Sequence, residues 1–485
     1  MTDAPRLLIG GEWAAGDAGG YEITNPATEQ PVDEAPEASV AQAEAACAAA
    51  ADAFEGWAAT PVEERARLLE RAADLLEARA DELVPLVQAE TGATLRVTKS
   101  MQVPTAIHRL RYYAQAVREP LDIPIPPAEM PSTALAAGGL IGAVAHRAPV
   151  GVVACITPYN FPIVNAAGKI GPALAIGNPV VIKPAVQDPL AVIRMVEVMA
   201  EVGFPAGVLN VITSAAVEPA EAIVASSHVD MISFTGSTGV GSRIAEVAAP
   251  KMTRLLLELG GKGAALIFDD ADVKAAANGI ASVWSFHSGQ ICTAPTRAVI
   301  QREVYDEVVE RLAKMASVLK VGDPTEPDTV VGPVISAAHR ERVEGYVQKG
   351  RAEGAEVLAG GERPAIDTGF YVAPTLLAGC TNDMTPAQEE IFGPVVVAIP
   401  FDDEDEGIEI ANDSPFGLYG YVFSGDGARA MRVARRLRSG NVGINTLQRN
   451  HEAPFGGMKM SGVGRDGGRF GLHAYSELQS IVWTD

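Results

Sequence analysis

Cysteine is scarce in this chain, with only Cys47, Cys155, Cys292 and Cys380 among 485 residues. That number cannot build a disulfide framework, and reduced thiols in a cytosol are the expectation. Positive charge is also short. The 38 Lys and Arg stand against 61 Asp and Glu, a net charge of −23. Such a surface repels phosphate backbones and argues against nucleic acid as a main partner. The seven histidines, His108, His146, His228, His287 and His339 among them, lack metal-ligand spacing, so no metal is expected. Met1–Arg6 lacks the basic-then-apolar order of a signal peptide, and a cytoplasmic location is the expectation. One uncharged stretch, 148–168, is long enough to cross a bilayer, but Pro149, Pro158 and Pro162 interrupt it. A buried strand followed by a turn is the better reading.

What is present is an ordinary globular composition, 48% apolar and 20% charged, enough for roughly two to four domains at about 150 residues each. The first 110 residues read as helical. Thr60-Pro61-Val62-Glu63 has the pattern of a capping box, followed by Leu68, Leu69, Leu75, Leu76 and Leu83 at helical spacing. Residues 118–133 are proline-rich and read as a connector, and 134–147 as an exposed β-ribbon. Five short apolar runs follow, Val152–Ile156, Pro179–Ile182, Val208–Ile212, Met231–Phe234 and Arg254–Glu258, at intervals of about 22–29 residues. Helical segments separate them; Asp188-Pro189 opens one and Gly203 closes it. This alternation predicts a parallel sheet covered by helices, a Rossmann-like nucleotide-binding architecture. A second α/β series has strand candidates at 265–268, 297–301, 395–399, 421–423 and 441–444, and its clearest helix carries Tyr305, Val308, Val309, Leu312 and Leu319 on one face. The last 20 residues return to extended character.

Four stretches carry the chemistry. Glu258-Leu259-Gly260-Gly261-Lys262 puts a carboxylate at the end of a predicted parallel strand, where α/β folds bind ligands, with two glycines that let the backbone pass close to something. Cys292 lies in a loop between helix and strand, with Gly289 before it and Pro295 after it. A lone cysteine is more often buried packing, the reading given to the other three, but this setting favours a nucleophile. Phe234-Thr235-Gly236-Ser237-Thr238-Gly239 opens a helix and suits a phosphate at a helix N-terminus. Pro158-Tyr159-Asn160-Phe161-Pro162 fixes an amide between prolines.

In order and spacing these stretches resemble the NAD(P)-dependent aldehyde dehydrogenase superfamily over essentially the whole chain. Lys183-Pro184, Gly289-Gln290 before Cys292, Glu389-Glu390-Ile391-Phe392-Gly393-Pro394, Pro454-Phe455-Gly456-Gly457 and Ser461-Gly462 extend the match. The resemblance implies an α/β fold: a discontinuous Rossmann-like cofactor domain (1–127 and 150–257), an α/β catalytic domain (258–460) and small β bridging, oligomerisation elements (128–149 and 461–485). It implies oxidation of an aldehyde to the acid with NAD or NADP, in a homodimer or homotetramer. Cys292 matches the nucleophile that passes through a thiohemiacetal and a thioester. Asn160 and the Cys292 backbone N–H match the oxyanion donors, and Glu258 the base that activates water against the thioester. Lys183 matches a ligand of the adenine ribose, Thr157, Gly236 and Ser237 lie on cofactor-binding turns, and Glu390 and Phe392 match the pair at the nicotinamide ribose and ring. Val186 stands where NAD-preferring members carry a ribose-binding Glu, so tolerance of NADP is the expectation. Phe161 and Phe455 match aromatic pocket walls. Arg449 replaces a wall position that is often aromatic, and either meets a substrate anion or forms a salt bridge at the rim or between subunits. Two other readings stand beside oxidation: a catalytically idle NAD(P)-binding or structural protein on the same scaffold, and a thioester-forming hydrolase without redox chemistry.

Overall fold

The computed structural model describes residues 6–484. Its first sheet has eight strands in the order Gly462–Val463, Arg254–Glu258, Met231–Thr235, Val153–Ile156, Val180–Lys183, Leu209–Val211, Leu7–Ile9 and Glu12–Ala14. The middle five are parallel, and the two flanking pairings are antiparallel. Strand Val180–Lys183 is buried at every position, as a strand covered on both faces must be. Strand order reverses between Val153–Ile156 and Met231–Thr235, and a crevice at the carboxyl ends of the strands at such a reversal is where doubly wound sheets take their ligand. Helices Val103–Ala116 and Pro162–Ile176 lie together in the large core beneath this sheet.

The second sheet has seven strands, ordered Glu356–Ala359, Thr375–Ala378, Val395–Phe401, Arg297–Gln301, Ala264–Ile267, Tyr419–Phe423 and Asn441–Ile444, all parallel except the first. A third, antiparallel sheet joins Ser476–Thr484, Gly139–Pro149 and Ile123–Met130. Every residue of Ile123–Met130 is exposed, and so are Leu478, Ile481, Val482 and Trp483.

Several sequence expectations need correction. The N-terminal region is not uniformly helical: besides Leu7–Ile9 and Glu12–Ala14 it holds a hairpin of Gly20–Thr24 with Pro31–Pro36. The proline-rich connector contains strand Ile123–Met130, tolerable there because an edge strand leaves half its N–H groups unpaired. The capping box at Thr60 does not form. Helix Val40–Ala59 ends at Thr60, whose hydroxyl donates to the Gly56 carbonyl, and helix Val62–Ala78 starts without a side-chain cap. The capping box lies instead at Ser39 and Gln42. Asp188-Pro189 does precede helix Leu190–Ala200, but the cap comes from elsewhere: the buried Glu90 carboxyl accepts from Leu190 N (2.7 Å) and Ala191 N (2.6 Å). Strands Glu356–Ala359 and Thr375–Ala378 have no counterpart among the expected ones. The stretch 148–168 divides into strand Val153–Ile156, a turn, and a helix that begins at Pro162, where a missing N–H costs nothing. Among the described residues no helix is long and apolar enough to cross a membrane.

Candidate active site

Glu258 ends the strand Arg254–Glu258 and is buried. The thiol of Cys292 approaches its carboxyl group, while Oε1 accepts no hydrogen bond. Burial pushes the Glu258 pKa up to about 7, opposed by Cys292, Lys169 and Arg449. Burial, and then the charges of Glu258 and Glu390, hold the Cys292 thiol well above its usual pKa, with Arg449 pulling the other way. In this state the sulfur is a protonated thiol beside a group able to take its proton.

The Cys292 loop is held by an unusual backbone. His287, Ser288 and Gly289 have φ of +50°, +52° and +75°, three consecutive residues in the left-handed region. A Cβ on Gly289 would stand 2.2 Å from the Gly393 carbonyl oxygen, so the loop rests directly on the Gly393-Pro394 turn. The Ser288 hydroxyl donates to the Gly332 carbonyl (2.7 Å), and the buried Gln290 side chain accepts from Ile335 N (3.0 Å) and donates to the His287 carbonyl (3.3 Å). On the other side, Gly261 gives the loop room: its Cβ would lie 2.5 Å from the Cys292 carbonyl oxygen.

Asn160 is buried in the turn after strand Val153–Ile156. Its Nδ2 donates to the Gln290 carbonyl (2.8 Å) and its Oδ1 accepts from Phe161 N (3.1 Å). An amide carries two N–H donors, so one remains beside the Cys292 loop. The Cys292 backbone N–H makes no hydrogen bond within the described chain.

At the sheet reversal, Thr157 is buried and its Oγ1 has no partner. Lys183 Nζ donates only to the carbonyls of Pro184 (3.1 Å) and Ser214 (3.3 Å), and burial lowers its pKa to about 8. Gly236 and Ser237 form the turn after Met231–Thr235, and Ser237 caps the eleven-residue helix Thr238–Ala248. Val186 is partly exposed on the loop after Lys183. Glu390 accepts from Gly261 N (2.9 Å), an approach that a Cβ on Gly260 would block at 2.3 Å; burial raises its pKa to about 7. Phe392, at φ +59°, packs edge-on against Tyr159 (5.8 Å), and its carbonyl bonds the His339 ring (2.8 Å). These groups suit a dinucleotide: unsatisfied hydroxyl and ammonium donors and a helix N-terminus stand at the point where the fold opens.

In the pocket, the Phe161 ring lies 5.3 Å from His287 and 5.9 Å from Phe286, and the Arg449 guanidinium sits 3.5 Å over the face of Phe455. Sequence reasoning missed two basic groups. Lys169, fully buried on helix Pro162–Ile176, donates to Ser233 Oγ (3.0 Å) and acts on Glu258. Arg109, on helix Val103–Ala116, reaches the same pocket as Arg449. No local motif marks either one.

A family model described as the aldehyde dehydrogenase family matches residues 13–481. The chain belongs to the aldehyde dehydrogenase family. It is 37% identical over 487 residues to phenylacetaldehyde dehydrogenase of Pseudomonas fluorescens, covering 98% of this chain and 95% of that one. It is 36% identical over 486 residues to betaine aldehyde dehydrogenase of Bacillus subtilis strain 168, covering 98% and 96%. The crystal structure of betaine aldehyde dehydrogenase from Staphylococcus aureus in complex with NAD+ superposes with a TM-score of 0.94 at 36% identity, covering 99% of this chain and 95% of that one. Like other aldehyde dehydrogenases, the protein oxidises an aldehyde with NAD(P)+.

Proposed function

We propose that Cys292, Glu258 and Asn160 carry out this oxidation to the carboxylic acid. The observation that carries the reading is the approach of the Cys292 thiol to a buried carboxyl with an unpartnered oxygen. Glu258 takes the thiol proton, and the sulfur attacks the aldehyde carbon to give a tetrahedral thiohemiacetal. Its oxyanion meets the free N–H of Asn160 Nδ2 and the backbone N–H of Cys292, donors already oriented before the charge develops. This carbon then gives up its hydride, for which NAD(P)+, held by the residues named below, would supply the acceptor. What remains on Cys292 is a thioester. Glu258, its proton lost to solvent, then takes a proton from water as the water oxygen attacks the acyl carbon, and the thiolate leaves with release of the acid. A carboxyl with pKa about 7 is suited to that task near neutrality.

Lys183, Ser237, Gly236, Thr157 and Val186 would hold the adenosine and pyrophosphate part of the dinucleotide, and Glu390 and Phe392 its nicotinamide end. Phe161, Phe455 and Arg449 would wall the aldehyde pocket. The cofactor domain would comprise 1–127 and 150–257, the catalytic domain 258–460, and the bridging elements 128–149 and 461–485, except that strand Ile123–Met130 belongs wholly to the bridging sheet and Gly462–Val463 to the cofactor sheet. The apolar, exposed strands of the third sheet support a homo-oligomer, because an uncovered strand edge invites pairing. The reduced thiols and the acidic surface support a cytoplasmic location.

Following absorbance at 340 nm with an aldehyde and each cofactor tests the reading, with Cys292→Ala as control. NADH production by wild type and none by the variant is expected. Undiminished oxidation by Cys292→Ala would remove Cys292 from the mechanism.

A further inference from the structure

In a cavity lined by Arg449 and Phe455, basic side chains from two distant parts of the chain converge. Helix Val103–Ala116 brings His108 and Arg109, and the loop after strand Asn441–Ile444 brings Arg449 and His451. The two histidine rings lie 5.8 Å apart. The Arg449 guanidinium, within electrostatic reach of Cys292 and Glu258, forms no hydrogen bond or ion pair in the described chain. Arg109 donates to the Val164 carbonyl (2.8 Å) and has no acidic partner among the described residues either. Of the carboxylates nearby, Asp466, which lines the cavity, accepts from Gly467 N (2.7 Å), Glu452 accepts from Tyr112 Oη (2.5 Å), and neither is ion-paired to Arg449 or Arg109. Both arginines are half-buried, and an arginine drawn partly from water ordinarily finds an acidic partner. Two guanidiniums that line one cavity and are ion-paired to no carboxylate leave donors open to an anion, in a chain of net charge −23.

We propose that this cluster is the anion subsite of the enzyme, and that its substrate is a short aldehyde bearing a carboxylate at the end remote from the carbonyl. The proposal rests on the site reading above: the carbonyl carbon at Cys292, the chain between Phe161 and Phe455, and the carboxylate against Arg449 and Arg109. The planar guanidinium matches a carboxylate with two parallel N–H donors. This cavity is narrow, with ≈ 30 Å³ of free space, which suits a small terminal group. A cationic aldehyde is disfavoured twice. The two arginines repel it, and the Phe455 face that could have received it through a cation–π contact already carries Arg449. Phe455 thus holds the guanidinium flat and leaves its N–H edge for the ligand.

The test compares 4-oxobutanoate with pentanal, a neutral aldehyde of similar length, in wild type and in Arg449→Leu and Arg109→Leu. Losing a charge-assisted hydrogen bond predicts a fall of about 30- to 100-fold in kcat/KM for 4-oxobutanoate. The fall should reside in KM, so the wild-type preference for the carboxylated substrate collapses in both variants. Arg449→Lys should recover part of it. In wild type, succinate should slow alkylation of Cys292 by iodoacetamide, competitively with 4-oxobutanoate, whereas pentanoic amide should not. This second measurement stands even where a variant fails to fold. Equal kcat/KM for the two aldehydes in wild type, with no succinate protection, overturns the proposal while leaving the oxidation reading intact. An equal loss for both substrates in Arg449→Leu also overturns it, since Arg449 would then act through the sulfur. If wild type oxidises neither aldehyde, nor any other with either cofactor, the oxidation reading itself fails.

Discussion

Replacing Glu258 by glutamine separates the two halves of the reaction. The carboxyl is buried and its pKa is raised to about 7 by loss of solvent. As a base it works only when ionised. About one-eleventh of the enzyme carries the ionised form at pH 6, half at pH 7 and ten-elevenths at pH 8. Where hydrolysis limits turnover, kcat should therefore rise about tenfold from pH 6 to pH 8 and then level off. The amide introduced by Glu258→Gln cannot take a proton from water, so the steady-state rate should drop by about 10²- to 10⁴-fold, the usual contribution of a positioned base. Hydride transfer needs no proton acceptor once the thiolate has formed; the variant lacks Glu258 to take the thiol proton but also loses a charge that raises the thiol pKa, so rapid mixing of the variant with aldehyde and NAD+ at a pH where hydroxide takes that proton should still give a burst of NADH, slower than in wild type. Its amplitude should approach one equivalent per active subunit, followed by near-arrest. The residual rate should lose the pH step near 7. A steady-state rate within threefold of wild type, or a wild-type profile flat between pH 6 and 8, would refute the assignment of Glu258 as the hydrolytic base.

Asn160→Ala removes one oxyanion donor and should lower kcat by about 10²- to 10³-fold in stopped-flow measurements of hydride transfer, while cofactor binding by fluorescence is retained. Gly289→Ala pushes a Cβ to 2.2 Å from the Gly393 carbonyl oxygen at a φ of +75°; the Cys292 loop must shift, and iodoacetamide labelling of Cys292 should change in rate together with a lowered melting temperature. Val186 offers no carboxylate to the ribose hydroxyls and none to repel a 2′-phosphate, so kcat/KM with NADP+ should lie within about tenfold of that with NAD+, and Val186→Glu should move the ratio toward NAD+; a hundredfold preference of wild type for NAD+ would contradict this.

How far the sequence could be read follows from where each signal resides. Strands such as Val180–Lys183 and Met231–Thr235 are buried throughout, so their apolar runs stand out against amphipathic helices. Strands Leu7–Ile9, Glu12–Ala14 and Glu356–Ala359 lie at or near sheet edges, are three or four residues long, and alternate weakly; no run marks them. The prolines of Ile123–Met130 concealed an edge strand because edges need fewer N–H groups. Thr60 misled because two helices meet there, and its hydroxyl serves the end of one rather than the start of the next. In the site, Cys292, Glu258 and Asn160 stood out as candidates because each lies in or beside a turn rich in glycine or proline, and Gly261 and Gly289 there are required by close approach to the Cys292 and Gly393 carbonyls. Lys169 and Arg109 act through side chains that only the packing of helices Val103–Ala116 and Pro162–Ile176 brings to the centre. Their helical neighbours give no hint of it. The unpaired state of Arg449 was open for the same reason, since ion pairing is a property of tertiary neighbours.

Covalent catalysis at a single sulfur is the central claim, and trapping the acyl-enzyme tests it most directly. Glu258→Gln is mixed with aldehyde and NAD+, quenched in acid, and read by intact-mass and peptide mass spectrometry. The account predicts an added mass equal to the acyl group less one hydrogen, confined to the peptide bearing Cys292, rising with the NADH burst. NADH formation with no adduct, or with the adduct on another residue, would contradict it.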